Sequence, residues 1–289
     1  MKEHVDLSRY TTIGTGGPAR WFAEPETVAE LSSALAWAVE HRAPVEVIGL
    51  GSNLLVHDDG VNALVLKLGG ELAAARIEET VLVAGGGATN AVSLHRARAA
   101  GLGGFEFASA IPGTAGGGVR MNAGAYGREW RDVVIDALVV DADGARALDV
   151  EALGLSYRHS SLAPGQVVAQ VRFRLVDSSA DAVKAKASAL LAERKATQPT
   201  NKRTFGSVFK NPEGGLGAGR MIEECGLKEH RIGGALISPR HANFIENAGS
   251  ATSADCIALM VEARRRVRER FGVDLEHEVQ FLGPLSLPS

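Results

Sequence analysis

The sequence predicts an α+β protein of two domains, and three observations support this prediction. Short β-rich runs alternate with helical segments, glycine clusters between those runs in the first 125 residues, and the chain becomes polar and Ala-rich after Val176. At 289 residues the chain is about twice a typical domain length and can bury a sizeable core. We expect a first domain over residues 1–180, with subdomains of about 1–70 and 71–180, and a second domain over 181–289.

The first domain opens with an αβ unit. Apolar residues at helical spacing follow Thr27 in TVAELSSALAWAVEHR, and VEVIGLGSNLLV from Val45 is typical of a buried strand that enters a glycine turn. Four more runs predict strands: LVLKL, TVLVAGGG, DVVIDALVVDADGARALDV and VVAQVRFRLV. The segment NAVSLHRARAAGL predicts a helix that stops at glycine.

The second domain begins with a polar helix, SSADAVKAKASALLAERKA, which we interpret as the crossing between the domains. An amphipathic helix is expected around residues 221–225, followed by strands at ALIS and NFIEN. The long helix SADCIALMVEARRRVRERFG is expected to end at Gly272 in a left-handed cap. The run VDLEHEVQFLG predicts a final strand, which completes a compact α+β domain.

The composition excludes several classes of protein. Hydrophobic residues make up 45 % of the chain and charged residues 22 %, and no uncharged apolar run approaches the ~18 residues of a membrane span. The start, MKEHVDLSRY, has no apolar segment typical of a signal peptide. We therefore expect a cytoplasmic protein with no membrane partner.

The balance of charge argues against nucleic acid as a partner. Lys and Arg total 31 against 34 Asp and Glu, so no broad positive field is expected. The basic run RRRVRER is interpreted as a solvated helix face rather than a phosphate-binding patch. Cys225 and Cys256 stand alone, without a CxxC motif or a nearby His pair, so we predict no metal site and no disulfide.

Three glycine loops could bring main-chain N–H groups close to phosphate: GLGSNLL, AGGGATN and IPGTAGGGVRMNAGAYG, which start at residues 49, 84 and 111. None matches the Rossmann pattern GxGxxG, and the chain has no Gly-Lys dipeptide and hence no Walker A loop. Any one loop alone is more often a turn or a site of close strand packing. Together they suggest a long ligand with a pyrophosphate, for which a flavin dinucleotide is the natural candidate.

Six motifs in order, GLGSNLLV, IPGTAGGGVRMNAGAYG, SYRHS, GSVFKNP, KEHRIGGALIS and LEHEVQFLG, resemble those of UDP-N-acetylenolpyruvoylglucosamine reductases. The resemblance covers nearly the whole chain. It implies a vanillyl-alcohol-oxidase-type (PCMH) FAD-binding fold in two subdomains and a C-terminal α+β substrate domain. It further implies noncovalent FAD, NADPH as hydride source, and the small-molecule substrate enolpyruvyl-UDP-GlcNAc, reduced to UDP-N-acetylmuramate for peptidoglycan synthesis. We expect a monomer.

The resemblance also implies three catalytic residues. Arg158, in SYRHS, would hold the substrate carboxylate while negative charge builds on it. Glu278, in LEHEV, would assist enolate formation as a protonated acid, which requires a raised pKa. The strand pattern alone cannot choose between Glu276 and Glu278, and the motif selects Glu278. Ser207 would give its proton to the strongly basic carbon, so it needs no partner histidine.

The remaining implied contacts fall into two groups. The flavin site would consist of Gly49, Gly51, Ser52, Asn53, Leu54, Ile111, Pro112, Gly113, Thr114, Gly117 and Asn122. The substrate site would include Tyr126, Lys210, Asn211 and His241. Without the resemblance, each of these residues has a plainer interpretation, namely a turn former, a cap or a surface side chain.

The chain departs from the family pattern at three positions. Thr197 stands where many members have a lysine, and Lys195, Lys202 or Arg203 could reach the diphosphate instead. Gln280 replaces a cation after Glu278, and Phe205 stands before Gly206 where small residues are common and could narrow the pocket. The short stretch from Tyr157 to Val176 matches the shorter, second type of the family. Two other functions remain open at this point, another oxidoreductase on the same flavin fold and a non-catalytic nucleotide-sugar binder.

Overall fold

The computed structural model describes residues 1–288, in which seven helices and nineteen strands are defined, together with short 3₁₀ turns. The helices are α1 Val28–Glu40, α2 Asn90–Ala99, α3 Ala115–Arg120, α4 Val150–Leu153, α5 Ala180–Thr197, α6 Ala218–Glu224 and α7 Ser253–Phe271. The strands of the first half are β1 Lys2–Asp6, β2 Pro18–Ala23, β3 Val45–Val47, β4 Leu54–Val56, β5 Val61–Leu66, β6 Ala75–Glu78, β7 Val81–Gly85, β8 Leu102–Gly103, β9 Gly124–Ala125, β10 Arg128–Glu129 and β11 Val134–Asp141. The others are β12 Gly144–Asp149, β13 Val167–Arg174, β14 Val176–Asp177, β15 Thr204–Ser207, β16 Arg231–Ile232, β17 Ala235–Ile237, β18 Phe244–Asn247 and β19 Gln280–Leu282.

The chain forms two compact units, each assembled from separate segments. Unit 1 comprises Met1–Glu3, Trp21–Leu50 and Ala63–Arg194, and unit 2 comprises His4–Arg20, Gly51–Asn62 and Lys195–Ser289. The predicted domain boundary near residue 180 coincides with the first residue of α5, whereas unit 1 continues to Arg194. Two short N-terminal segments belong to the same unit as the C-terminal third, so these units are not contiguous stretches of chain. The domain boundary at residue 180 stays a prediction.

Unit 1 contains a five-stranded antiparallel sheet in the order β12-β11-β13-β7-β6. One face of the sheet packs on a core of aromatic rings. Trp130, Phe105 and Phe173 are the largest side chains of that core, and their ring centres lie 4.9–6.1 Å apart. The predicted strand run 132–150 is in fact the hairpin of β11 and β12.

The αβ unit predicted near the N-terminus is present in unit 1. Thr27 caps α1 by accepting a hydrogen bond from the Glu30 N–H, and Leu31 and Leu35 on that helix are buried. The strand β3 runs parallel to β5 through the pairs from Val45↔Leu64 to Val47↔Leu66. This arrangement leaves the first glycine loop directly after β3.

Unit 2 contains a four-stranded antiparallel sheet in the order β15-β18-β17-β16, and β19 runs parallel to β4. In the core of this unit, α7 packs against α6 and against the sheet. The core includes the fully buried Phe205. Phe205 therefore fills the core, which explains why a large residue is tolerated before Gly206.

The long helix α7 starts and ends as its sequence predicts. Thr252 and Asp255 form a capping box at its start, and the Asp58 carboxylate also accepts from the N–H groups of Ser253 and Ala254 at 2.8 and 2.9 Å. The helix ends at Gly272, whose φ is +68°. The predicted final strand is shorter than its sequence pattern suggests and covers only β19.

The helices of residues 1–288 include none that combines the length and the apolar character needed to cross a membrane.

Candidate active site

Ser207 is the last residue of β15 and directly follows a β-bulge. This strand pairs with β18 at Thr204 and again at Ser207, and the register shifts between the two pairs. Gly206 accommodates the shift with a φ of +83°, which residues with a Cβ rarely adopt. A Cβ at Gly206 would also lie 3.1 Å from the main-chain oxygen of Ser52. The glycine is thus required by the bulge, and bulges redirect the side chain that follows them.

Glu278 reaches the same part of unit 2 through main-chain pairing. Its N–H donates to the Val208 oxygen at 2.8 Å, and Phe209 forms an isolated antiparallel bridge with His277. The Lys210 N–H donates to the Glu276 oxygen at 2.8 Å. Ser207 and Glu278 are 71 positions apart in sequence, but the residue that follows Ser207 is hydrogen-bonded to Glu278.

Two amide side chains fix the main chain of Glu278. Asn53 donates from Nδ2 to the Glu278 oxygen at 3.2 Å, and Gln280 donates from Nε2 to the same oxygen at 3.0 Å. The Gln280 N–H in turn donates to the Asn53 oxygen at 3.0 Å. Gln280, the residue that replaces a family cation, therefore supports the main chain beside Glu278.

Arg158 lies in unit 1, in a two-residue turn formed with Tyr157. The N–H groups of Ser156 and His159 each donate to the other residue's oxygen, at 3.1 and 3.0 Å. Arg158 itself has a φ of +53°, which is strained for a residue with a side chain. Its Nη2 donates to the Gly124 oxygen at 3.1 Å, and its guanidinium lies 4.9 Å from the centre of the Tyr157 ring. The half-buried guanidinium is thus held from two sides.

The first and third glycine loops require glycine because other protein atoms approach closely. In unit 1, a Cβ on Gly49 would lie 2.7 Å from the Oγ1 of Thr114. In unit 2, Gly51 has a φ of +66°, and its Cβ would lie 1.9 Å from the Tyr10 oxygen. Thr114 caps α3 and accepts from the Gly117 N–H at 3.4 Å. Close packing therefore explains these glycines before any ligand is considered.

The first and third glycine loops each also offer main-chain donors for a phosphate group. Among residues 1–288, no protein acceptor is hydrogen-bonded to the main-chain N–H of Gly51 or Asn53 in unit 2. The same is true, over those residues, of the N–H groups of Gly113 and Thr114 in unit 1. Successive N–H groups at a glycine turn can bind phosphate oxygens without any lysine. Each pair of donors thus suits a phosphate group.

The second glycine loop packs entirely against protein. Cβ atoms on Gly85, Gly86 and Gly87 would lie 1.8–2.6 Å from main-chain oxygens of other segments of unit 1. Asn90, the last residue of this loop, donates from Nδ2 to the Ile111 oxygen at 2.8 Å and from its N–H to the Gly113 oxygen at 3.0 Å. The second loop therefore acts as a support for the third.

The four predicted substrate contacts already have protein partners. In unit 1, the Tyr126 hydroxyl donates to the Leu190 oxygen at 3.2 Å, and burial, with a contribution from Glu193, raises its pKa. In unit 2, Lys210 forms an ion pair with Glu276 at 2.6 Å.

The other two contacts lie near α6. Asn211 accepts from the Ala218 N–H at 3.0 Å, and His241 accepts at Nδ1 from the Asn243 N–H at 3.2 Å. Burial lowers the pKa of His241, and Lys228 lowers it further, so this imidazole is favoured in its neutral form.

Two family models match the chain. One describes the UDP-N-acetylenolpyruvoylglucosamine reductase C-terminal domain and matches residues 198–282, and the other describes an FAD binding domain and matches residues 19–147. A UDP-N-acetylenolpyruvoylglucosamine reductase of Novosphingobium aromaticivorans is 44 % identical over 271 residues, which is 93 % of this chain and 91 % of the relative. The chain belongs to the UDP-N-acetylenolpyruvoylglucosamine reductase family.

Other relatives agree with this membership. A UDP-N-acetylenolpyruvoylglucosamine reductase 2 of Symbiobacterium thermophilum is 44 % identical over 96 % of this chain and 90 % of its own length. The crystal structure of the UDP-N-acetylenolpyruvylglucosamine reductase of Thermus caldophilus superposes with a TM-score of 0.84 at 38 % identity, covering 97 % of this chain and 98 % of that one. The predicted family, its shorter type and the predicted fold class are confirmed.

Sequence reasoning missed the residues that support the site. Asn90 and Glu129 are buried or nearly so and bond to the loops that contain predicted site residues. Asn90 was visible in the sequence as the last residue of AGGGATN, whereas nothing near Glu129 indicates its role. Arg194, on α5 close to Tyr126, also went unnoticed, and burial lowers its pKa.

Proposed function

We propose that this chain catalyses the NADPH-dependent reduction of enolpyruvyl-UDP-GlcNAc to UDP-N-acetylmuramate, a step in the synthesis of the peptidoglycan precursor. Family membership over nearly the whole chain supports the reaction. The observation that most directly supports the site is the pairing of Val208 with Glu278, which brings the strand of Ser207 beside the main chain of the catalytic glutamate. This pairing is what a shared enolate site requires, because both groups must reach neighbouring atoms of one substrate.

The glycine loops at residues 49–54 and 111–117 are proposed to hold FAD. Their main-chain N–H groups suit its pyrophosphate, and no side chain is needed to attach the flavin covalently. Bound FAD supplies the hydride, which it receives from NADPH. Every other requirement of the reaction falls on the side chains of this chain.

Arg158 is proposed to bind the substrate carboxylate. As hydride reaches the terminal vinyl carbon, the electron pair of the double bond moves onto the neighbouring carbon and is shared with that carboxylate. A guanidinium is permanently charged and offers paired donors, so it stabilises this charge more as it grows. The cation–π contact with Tyr157 and the bond to Gly124 hold it ready before substrate binds.

Glu278 is proposed to assist as a hydrogen-bonding acid toward the same developing charge. Ser207 then gives its hydroxyl proton to the carbon beside the carboxylate, which completes the addition of H⁻ and H⁺ across the double bond. A serine hydroxyl is a weak acid, but the enolate of a carboxylate is a very strong base. The serine recovers its proton from water.

The substrate's remaining groups are proposed to contact Tyr126, Lys210, Asn211 and His241. The ion pair of Lys210 with Glu276 does not oppose this role, because the Glu276 side chain is 70 % exposed. The Lys210 side chain is 21 % exposed, and its carboxylate partner lies on the solvent side of the pair, where a diphosphate can replace it. A cytoplasmic location and a monomeric state remain predictions from the sequence.

An NADPH oxidation assay with enolpyruvyl-UDP-GlcNAc tests the function. We expect substrate-dependent turnover in the wild type, and in Ser207→Ala normal flavin reduction by NADPH but a collapse of flavin reoxidation by about 10²–10⁴-fold. Ser250→Ala, an exposed serine of the same unit, is the matched control and should leave both half-reactions unchanged. A wild type that bleaches its flavin with NADPH but shows no substrate-dependent turnover contradicts the function. Full turnover in Ser207→Ala contradicts only the assigned proton donor.

A further inference from the structure

Asn122 has a conformation and an environment that a flavin contact does not explain. Its side chain is fully buried, with 0 % exposure, and its φ is +38°. Such a conformation is uncommon for a residue with a side chain and persists only when surrounding bonds enforce it. The enforcing bonds are all made to protein.

The Asn122 amide uses both of its N–H donors and its oxygen within unit 1. Nδ2 donates to Glu129 Oε2 at 3.0 Å and to the Ser156 oxygen at 2.9 Å. Oδ1 accepts from the Arg131 N–H at 3.0 Å. An amide side chain has two donor hydrogens, so none is left for a ligand.

The Ser156 oxygen is one end of the turn that contains Arg158. It accepts the His159 N–H at 3.0 Å and Asn122 Nδ2 at 2.9 Å, and the Ser156 N–H donates to the His159 oxygen. Asn122 therefore holds the residue at which this turn begins. Loss of that bond would remove one of the two hydrogen bonds that the Ser156 oxygen accepts.

The Arg158 side chain is tied to the same segment. Its Nη2 donates to the oxygen of Gly124, two residues after Asn122. A Cβ on Gly124 would lie 2.8 Å from the Arg128 oxygen and 3.3 Å from Nη1 of Arg158, so the strand pairing of β9 with β10 requires this glycine, and the guanidinium packs close to it. Residues 122–124 thus hold both the main chain of the Arg158 turn and the guanidinium of Arg158.

We propose that Asn122 is a positioning residue for Arg158, which it holds through Ser156, rather than a side-chain ligand of the flavin. The proposal rests on the proposed function, in which Arg158 binds the substrate carboxylate. A misplaced guanidinium weakens the stabilisation of the enolate without affecting hydride transfer from NADPH.

Rapid kinetics on the FAD-loaded enzyme separate the two half-reactions in Asn122→Ala. We expect flavin content and the rate of flavin reduction by NADPH to stay within about twofold of wild type, and flavin reoxidation by enolpyruvyl-UDP-GlcNAc to slow by about 10–100-fold, as when supporting bonds are removed from other functional residues. Asn90→Ala is the matched control, since it removes a buried asparagine that holds residues 111–113 and should weaken FAD binding instead.

A double substitution distinguishes positioning from a merely structural effect. In the Arg158→Ala background, adding Asn122→Ala should change reoxidation by less than about twofold, because the interaction it supports is already gone. Multiplicative losses, or weaker FAD binding with normal reoxidation in Asn122→Ala, would overturn the proposal. Asn122→Asp, which keeps the shape and the acceptor for Arg131 but lacks the donors, serves if the alanine variant folds poorly.

A measurement without substrate keeps this proposal separate from the proposed function. Hydrogen exchange at the His159 amide, which is bonded to Ser156, should accelerate in Asn122→Ala and Asn122→Asp relative to wild type. Unchanged exchange overturns the positioning role even if the enzyme reduces another substrate. If the wild type shows no turnover with this substrate but exchange is faster in the variants, the proposed function is wrong and the role of Asn122 in holding the turn stands.

Discussion

The turn that contains Arg158 and the bulge that precedes Ser207 solve the same problem differently. Both present a polar side chain from an irregular stretch of main chain with a positive φ. In the bulge, Gly206 takes the positive φ, and Ser207 returns to the strand pairing with Phe244. In the turn, Arg158 itself takes it, at +53°.

Whether a glycine or an arginine takes the positive φ determines how much support the surrounding contacts must provide. A residue with a side chain costs about 1–2 kcal/mol in the left-handed region, a cost that glycine avoids. The bulge therefore needs little support beyond its core neighbour Phe205, whereas the turn needs the bonds of Asn122 and Gly124. Substitutions at four positions, Phe205, Gly206, Arg158 and Tyr157, can test this contrast.

The largest effect is expected from Phe205→Ala. Phe205 is fully buried in the core of unit 2, so its truncation should lower the free energy of unfolding by about 3–5 kcal/mol. Denaturant unfolding monitored by circular dichroism measures this loss. If Phe205 instead narrowed the substrate site, the variant would keep its stability and show a changed KM. Phe205→Leu, which keeps most of the apolar volume, should lose much less.

Gly206→Ala should have the next largest effect on stability. The new Cβ must adopt the left-handed conformation and would lie 3.1 Å from the Ser52 oxygen, so we expect a loss of about 1–2 kcal/mol in the free energy of unfolding. Because the bulge directs Ser207, flavin reoxidation should slow by a larger factor than flavin reduction. The exposed Gly214, where a Cβ meets nothing within 4 Å, gives the control Gly214→Ala at a similar φ of +69°. Equal rate losses in both half-reactions would show that the bulge does not orient the serine.

The reverse exchange at Arg158 should separate strain from function. Arg158→Gly and Arg158→Ala both remove the guanidinium, and both should impair flavin reoxidation by about 10²–10³-fold. The glycine variant should nevertheless be more stable than the alanine variant by about 1 kcal/mol, since glycine accepts a φ of +53° without strain. Thermal unfolding of the two proteins side by side measures the difference. Equal stability would mean that the turn relaxes when the arginine is removed.

The sequence predicts those elements whose signals are local. Thr27 marks the start of α1, and Gly272 marks the end of α7, because capping depends on neighbouring residues only. The pattern VDLEHEVQFLG predicts a strand, but only Gln280–Leu282 forms one, since residues 276–278 pair irregularly with residues 208–210. The apolar–polar alternation of a strand does not indicate which distant segment pairs with it.

The candidate site divides in the same way. Motifs identify Ser207, Arg158 and Glu278 as residues worth proposing, but their partners come from other segments. Asn122 is predicted as a flavin contact from its motif, while its amide is bonded to Glu129 and Ser156. The sequence does not distinguish a glycine that makes room for a ligand from one that allows close packing. The structure shows that residues 85–87 pack against protein.

The smallest effect is expected at Tyr157, the other residue of the Arg158 turn. Its ring centre lies 4.9 Å from the guanidinium, and exposed cation–π contacts contribute about 0.5–1 kcal/mol. Because the contact helps to orient Arg158 before substrate binds, Tyr157→Ala should lower the second-order rate constant of flavin reoxidation by about two- to fivefold, as that energy implies. Tyr157→Phe keeps the ring and should behave as wild type, which separates the ring from the hydroxyl. A loss shared by the phenylalanine variant would assign the effect to the hydroxyl, and no loss in either variant would mean that Asn122 and Gly124 hold the arginine without help from the ring.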